Sequence, residues 1–113
     1  MRLAVRVFSV IVTAIVALAL AASCRAASKN PAADLFKSKC AMCHGSDGKG
    51  LSPLHTPDFT DPKWQKEHSD KYIVDTITNG KKGTMMLPFG GKLKPAQIQE
   101  LLHYIRSLDS AKK

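Results

Sequence analysis

Most of what large cores and enzymes are built from is scarce in this 113-residue chain. Cysteine occurs three times, at Cys24, Cys40 and Cys43. That excludes a disulfide-stapled scaffold and leaves too few thiols for a four-cysteine zinc site. Aromatic residues are 6% of the chain; beyond the leader they are Phe36, Phe59, Trp64, Tyr72, Phe89 and Tyr104. A domain of roughly 80 to 90 residues with so few large side chains is marginal unless another apolar body joins its core. Strand-type alternation is weak throughout, and there is no internal repeat and no second domain. Acidic residues number 9 against 17 basic ones, a net charge of +8. Such a charge suits nucleic acid, an anionic surface or an acidic protein, but no nucleic-acid motif accompanies it. No convincing set of general acid, base and nucleophile stands out either.

There is one long apolar run, Val7 to Ala22, broken only by Ser9 and Thr13 and preceded by Arg2 and Arg6. It is short for a membrane span of about 20 apolar residues and has the layout of an export leader. We therefore divide the chain into a leader at 1–23, a linker or tether at 24–33 and one domain at 34–113. Ala21-Ala22-Ser23-Cys24 resembles a lipoprotein cleavage box, with Ala21 where Leu is usual. Cleavage after Ala26 is the rival; only the first leaves a lipid anchor on Cys24. Either outcome puts the mature protein outside the cytoplasm, in the periplasm, soluble or lipid-anchored. Loss of Arg2 and Arg6 leaves 15 basic against 9 acidic residues, a charge of +6.

Against this sparse background stand five consecutive residues, Cys40-Ala41-Met42-Cys43-His44. Cys-x-x-Cys-His is the spacing of c-type haem attachment. Two thiols add to two vinyl groups of one porphyrin, and the adjacent imidazole is held where it can bind iron. A bare Cys-x-x-Cys also serves thioredoxin-like and zinc sites. Here no buried strand precedes Cys40, and His55, His68 and His103 are singly spaced and form no second ligand pair.

Three helices are expected around this motif. The first covers about Ala33 to Met42 and stops at Gly45. The second has Ser69 as N-cap, Asp70 in its first turn and Asn79-Gly80 as its stop. The third starts at Pro95 and carries Ile98, Leu101, Leu102, Ile105 and Leu108 on one face. Ser46 to Gln65, with Gly48, Gly50, Pro53, Pro57 and Pro62, reads as a long loop, which in a compact domain implies a task such as wrapping a cofactor. Between the last two helices, Lys81 to Leu93 is glycine-rich at both ends and holds Met85 and Met86. A thioether is a soft ligand that suits haem iron and raises its potential.

The chain resembles the class I c-type cytochromes of the small bacterial monohaem kind. The resemblance spans about Asp34 to Leu108. It rests on Leu35-Phe36 before CAMCHG, Asp47-Gly48-Lys49-Gly50, Asn79-Gly80-Lys81, Met-x-x-Phe followed by Gly-Gly-Lys-Leu, and the Leu-x-x-Tyr-Ile-Arg-Ser-Leu ending. It implies an all-α cytochrome c fold, three main helices and long loops around one covalent haem c. It further implies thioethers at Cys40 and Cys43, iron ligation by His44, and Met86 as sixth ligand. Because Pro88 is displaced by one from the family pattern, Met85 stays open as the alternative. The resemblance assigns the Pro53 carbonyl to the proximal imidazole, although Ser52 stands where Gly is usual. It sets Ala32 or Ala33 against Tyr104 where the first and last helices cross. Trp64 either donates its indole N–H to a haem propionate or simply covers the haem edge.

The implied function is one-electron transfer by a monomeric, non-enzymatic carrier between redox proteins outside the cytoplasm. Lys37, Lys39, Lys81, Lys82, Lys92 and Lys94 flank the two haem-bordering segments and suit an acidic docking surface. The alternatives are a haem subunit of a larger redox enzyme, an open-site haem peroxidase or gas sensor, and bis-histidine iron using His55, His68 or His103.

Overall fold

The computed structural model describes residues 29–113, so the expected leader, Cys24 and the first half of the tether lie outside the described residues. Every regular element among them is helical. α1 covers Pro31–Lys39, α2 Ala41–His44, α3 Pro62–Glu67, α4 Asp70–Asn79 and α5 Pro95–Ser107, with single 3-10 turns at Ser52–Leu54 and Ser110–Lys112. Among these residues no helix is long and apolar enough to cross a membrane.

Local chemistry sets the element ends. The Asn30 side chain accepts from the amides of Ala32 and Ala33, and Pro31 occupies the first turn, so α1 starts two residues before the expected Ala33. Its regular path ends at Cys40, and a separate short turn carries Ala41 to His44 up to Gly45. Ser69 caps α4 by accepting from the Tyr72 amide, and Gly80 ends it. At the start of α5 the Gln97 side chain accepts from the Lys94 amide.

α5 packs against both α1 and α4. Its buried face is Ile98, Leu101, Leu102 and Ile105, the expected stripe without Leu108, which is only partly buried. Phe36 from α1, Ile73 and Ile77 from α4, Phe59 and Leu93 complete the core. Phe36 and Leu101 are each 1% exposed, and full burial of such a side chain contributes about 1.5–3 kcal/mol. The expected crossing of first and last helices is present: Ala32 is buried, and the rings of Phe36 and Tyr104 lie 5.1 Å apart.

The segment expected as continuous loop contains α3. Asp61 accepts from the Lys63 amide and Pro62 opens the helix; a capped start outweighs the helix-breaking density of the surrounding prolines. This correction matters, because α3 carries Trp64.

Candidate functional site

Cys40 lies at the junction of α1 and α2, and Cys43 and His44 close α2. Both thiols are free and partly buried. The following loop is tied back onto this turn. The Gly50 amide donates to the His44 carbonyl at 2.9 Å. Thr56 Oγ1 donates to the Cys43 carbonyl at 2.7 Å and accepts from the Leu51 amide at 2.7 Å. Phe59 donates its amide to Gly48 at 2.8 Å, which brings its ring to a stacked position 4.9 Å from His44.

Burial pushes the Cys40 thiol up to about 11, with the nearby Cys43 adding to the shift. Cys40 is thus a neutral thiol at pH 7, and a neutral thiol is neither a spontaneous nucleophile nor a spontaneous metal ligand. Burial lowers the pKa of His44, so its imidazole is neutral at pH 7 and has a lone pair to give a metal. His44 Nδ1 is buried with no hydrogen-bond partner. An unpaired buried polar group costs about 1–3 kcal/mol.

Beside His44 lies a cavity with a volume of about 210 Å³. Cys40 and His44 line it, and so do Phe36 and Leu101 from the core, Trp64 and His68, and Met86. Met86 is partly buried and packed on the core, whereas Met85 is 79% exposed and does not line the cavity. The Met86 carbonyl accepts from the Lys81 amide at 3.1 Å, which fixes the loop against the end of α4. The Cys40 thiol, a neutral imidazole and one thioether around an apolar space, with Cys43 in the same turn as His44, fit haem c.

The other expected site residues divide. Trp64 does line the cavity; its ring is stacked on His68 at 4.6 Å and tilted on Phe59 at 4.8 Å. Cys43 is partly buried and not among the lining residues. Pro53 is exposed in its 3-10 turn, His44 Nδ1 donates to no carbonyl, and Thr56 of the same loop donates to the Cys43 carbonyl. Of the rival histidines, His55 and His68 line the cavity and His103 does not. Phe59, Tyr72 and Thr76 also line it. None of these three lies in a motif, and only the fold brings them there. Among the described residues no cluster of three or more His, Cys, Asp or Glu side chains could hold a bare metal ion.

The family model described as cytochrome c oxidase, cbb3-type, subunit III matches residues 27–105. Among curated relatives, the cbb3-type cytochrome c oxidase subunit FixP of Azorhizobium caulinodans is 40% identical over 76 residues, 67% of this chain and 26% of that protein. Subunit CcoP of Rhodobacter capsulatus is 35% identical over 80 residues, 66% of this chain and 27% of that one. The chain therefore spans about a quarter of the length of these relatives. Among solved structures, the KustC0563 c-type cytochrome superposes with a TM-score of 0.64 at 32% identity, over 69% of this chain and 96% of that one. Cytochrome cL of Methylophaga aminisulfidivorans gives 0.58 at 28% identity, over 69% and 51%. The fold is that of the c-type cytochromes, and the cofactor such a fold carries is covalent haem c with its iron.

Proposed function

The chain belongs to the family of cbb3-type cytochrome c oxidase subunit III, and on that premise we propose that it relays single electrons as the haem module of a larger redox enzyme. The observation that carries this reading is one cavity lined by Cys40, His44 and Met86 together, in a chain whose curated relatives are oxidase subunits.

In this reading Cys40 and Cys43 anchor the group by thioethers, His44 supplies the nitrogen ligand and Met86 the sulfur ligand. Haem iron, when bound, supplies a single ferric–ferrous couple. With His44 and Met86 both committed to the iron, no site would be left on it for substrate. Phe36, Ile77, Leu101 and Ile105 line the cavity and exclude water, which disfavours the more highly charged ferric state and raises the potential. The Trp64 indole N–H is assigned to a haem carboxylate. The exposed Lys81 and Lys82, with Lys37, Lys39, Lys92 and Lys94, steer an acidic partner surface.

The working state is then a bound subunit rather than the free monomer that the sequence suggests. Residues 1–23 serve as export leader and the residues from 24 to the Asn30 cap of α1 as tether, lipid-bearing if Cys24 becomes the first residue, which puts the haem domain that α1 opens on the periplasmic side. A free carrier is the second reading, favoured by the match to 96% of the KustC0563 c-type cytochrome. Purification of tagged chain under mild detergent separates the two. Co-elution of its haem spectrum with cytochrome c oxidase activity supports the subunit. Elution at the mass of the single chain, with rapid reduction and reoxidation by soluble partners, supports the carrier.

A further inference from the structure

One side chain outside the cavity is engaged more completely than any structural ion pair requires. Arg106 stands in the last turn of α5, and its side chain is only 19% exposed. A guanidinium has five N–H donors in a fixed plane, and four of them have hydrogen-bond acceptors here. Nε donates to Asp70 Oδ1 at 2.8 Å, and Nη2 meets the same oxygen at 2.7 Å. Nη2 also donates to the His68 carbonyl at 2.6 Å. Nη1 donates to the Gln65 carbonyl at 2.7 Å and to Gln65 Oε1 at 2.8 Å. Gln65 is itself buried and passes the contact on, its Nε2 donating to the carbonyls of Phe59 at 2.7 Å and Ile105 at 2.9 Å.

The acceptors share one feature. Phe59, Gln65 and His68 frame the stretch that makes one wall of the cavity, with the rings of Phe59, Trp64 and His68 in contact along it. α3 has six residues, too few to hold a helical shape unaided, and its last carbonyls need partners from elsewhere. Arg106 provides them from a helix about 40 positions away. His68 is fixed in turn, its Nδ1 lying 2.9 Å from the Trp64 carbonyl.

The structure assigns Arg106 a role as the positioning residue of the Phe59–Trp64–His68 wall: through Gln65 and the α3 carbonyls it holds these rings closed over the haem and keeps water from its edge. This rests on the reading of the cavity as a haem site. The residue acts through the wall and touches neither the cofactor nor its ligands.

Arg106→Lys tests it, because lysine keeps the charge and offers three donors from one point in place of a planar fork. Asp70→Asn is the companion; it removes the carboxylate and leaves the carbonyl contacts available. We expect Arg106→Lys to retain covalent haem and helical circular dichroism while its reduction potential falls. The ferric-to-ferrous ratio at a fixed ambient potential rises about tenfold, 59 mV for a one-electron couple. Asp70→Asn shifts the ratio less than twofold. An unchanged potential in Arg106→Lys, or equal shifts in the two variants, overturns the assignment. Should Arg106→Lys not accumulate, the unaltered holo-protein decides by nitrogen-15 NMR. Separate, slowly exchanging Nη protons on Arg106 support the clamp, and a single averaged signal contradicts it. Absence of a haem spectrum from the wild-type protein instead refutes the haem reading, and the NMR arm still reports on the clamp.

Discussion

Gly80→Ala is the substitution whose consequences follow most directly from the structure. Gly80 ends α4 with φ 71° and ψ −174°, a backbone region open essentially to glycine alone, where another residue costs about 1–3 kcal/mol. A Cβ there would stand 2.6 Å from the Met86 carbonyl oxygen, 2.9 Å from the Pro88 nitrogen and 3.0 Å from the Leu87 carbonyl carbon. All three are backbone atoms of the methionine loop, and none can rotate aside. The loop must move, and the bond from the Lys81 amide to the Met86 carbonyl goes with it, a further loss of about 0.5–1.5 kcal/mol. The sum, about 1.5–4.5 kcal/mol, is a large part of a typical stability of roughly 5–15 kcal/mol. Gly83→Ala is the internal control: it also has positive φ, 75°, but nothing lies within 4 Å of its added Cβ, so it meets backbone strain alone. The assay is the weak far-red absorption of oxidised iron bound to a thioether, followed with temperature. Gly80→Ala should keep its covalent haem, lose that band and melt roughly 10 °C or more below wild type. Gly83→Ala should keep the band. A Gly80→Ala protein with the wild-type band and melting temperature would refute the claim that Gly80 seats the methionine loop.

Met86→Leu should abolish the far-red band while Met85→Leu leaves it intact, since only Met86 lines the cavity; the reverse result moves the sulfur ligand to the 79% exposed Met85. Phe36→Ala should destabilise the holo-protein by about 3–5 kcal/mol in chemical denaturation, because Phe36 is 1% exposed and packs on Phe59 and Tyr104; a loss below about 1 kcal/mol would mean the core relaxes around it. Electron-transfer rates with an acidic redox partner should fall several-fold as salt is raised past about 0.1 M, where the Debye length is about 10 Å. Rates flat across that range would remove the lysine steering.

The parts of this fold that could be read from sequence are those whose signals are local. Ser69, Asp70 and Asn79-Gly80 mark both ends of α4, and Pro95 with its apolar stripe marks α5; each structural element obeys its own nearby residues. The attachment motif is legible for the same reason, five adjacent residues carrying one chemistry. α3 escaped because Pro53, Pro57 and Pro62 dominate the composition of its neighbourhood, although Asp61-Pro62 is a helix start in miniature. Spacing alone leaves Met85 and Met86 as rivals, and the proposal of Met86 rests on its place at the cavity against the 79% exposure of Met85. Arg106 reads as an ordinary polar residue on the outer face of α5, since its partners Gln65, His68 and Asp70 lie 36 to 41 positions away. The Thr56 bond to the Cys43 carbonyl depends on a loop closure that no short motif announces.

All of these predictions presuppose one covalent group on one short peptide. Mass analysis of the exported protein after proteolysis tests that directly. The peptide containing Cys40-Ala41-Met42-Cys43-His44 should carry the mass of one haem, with neither thiol open to alkylation. The same peptide recovered at its bare mass, with both cysteines alkylated, would contradict the account.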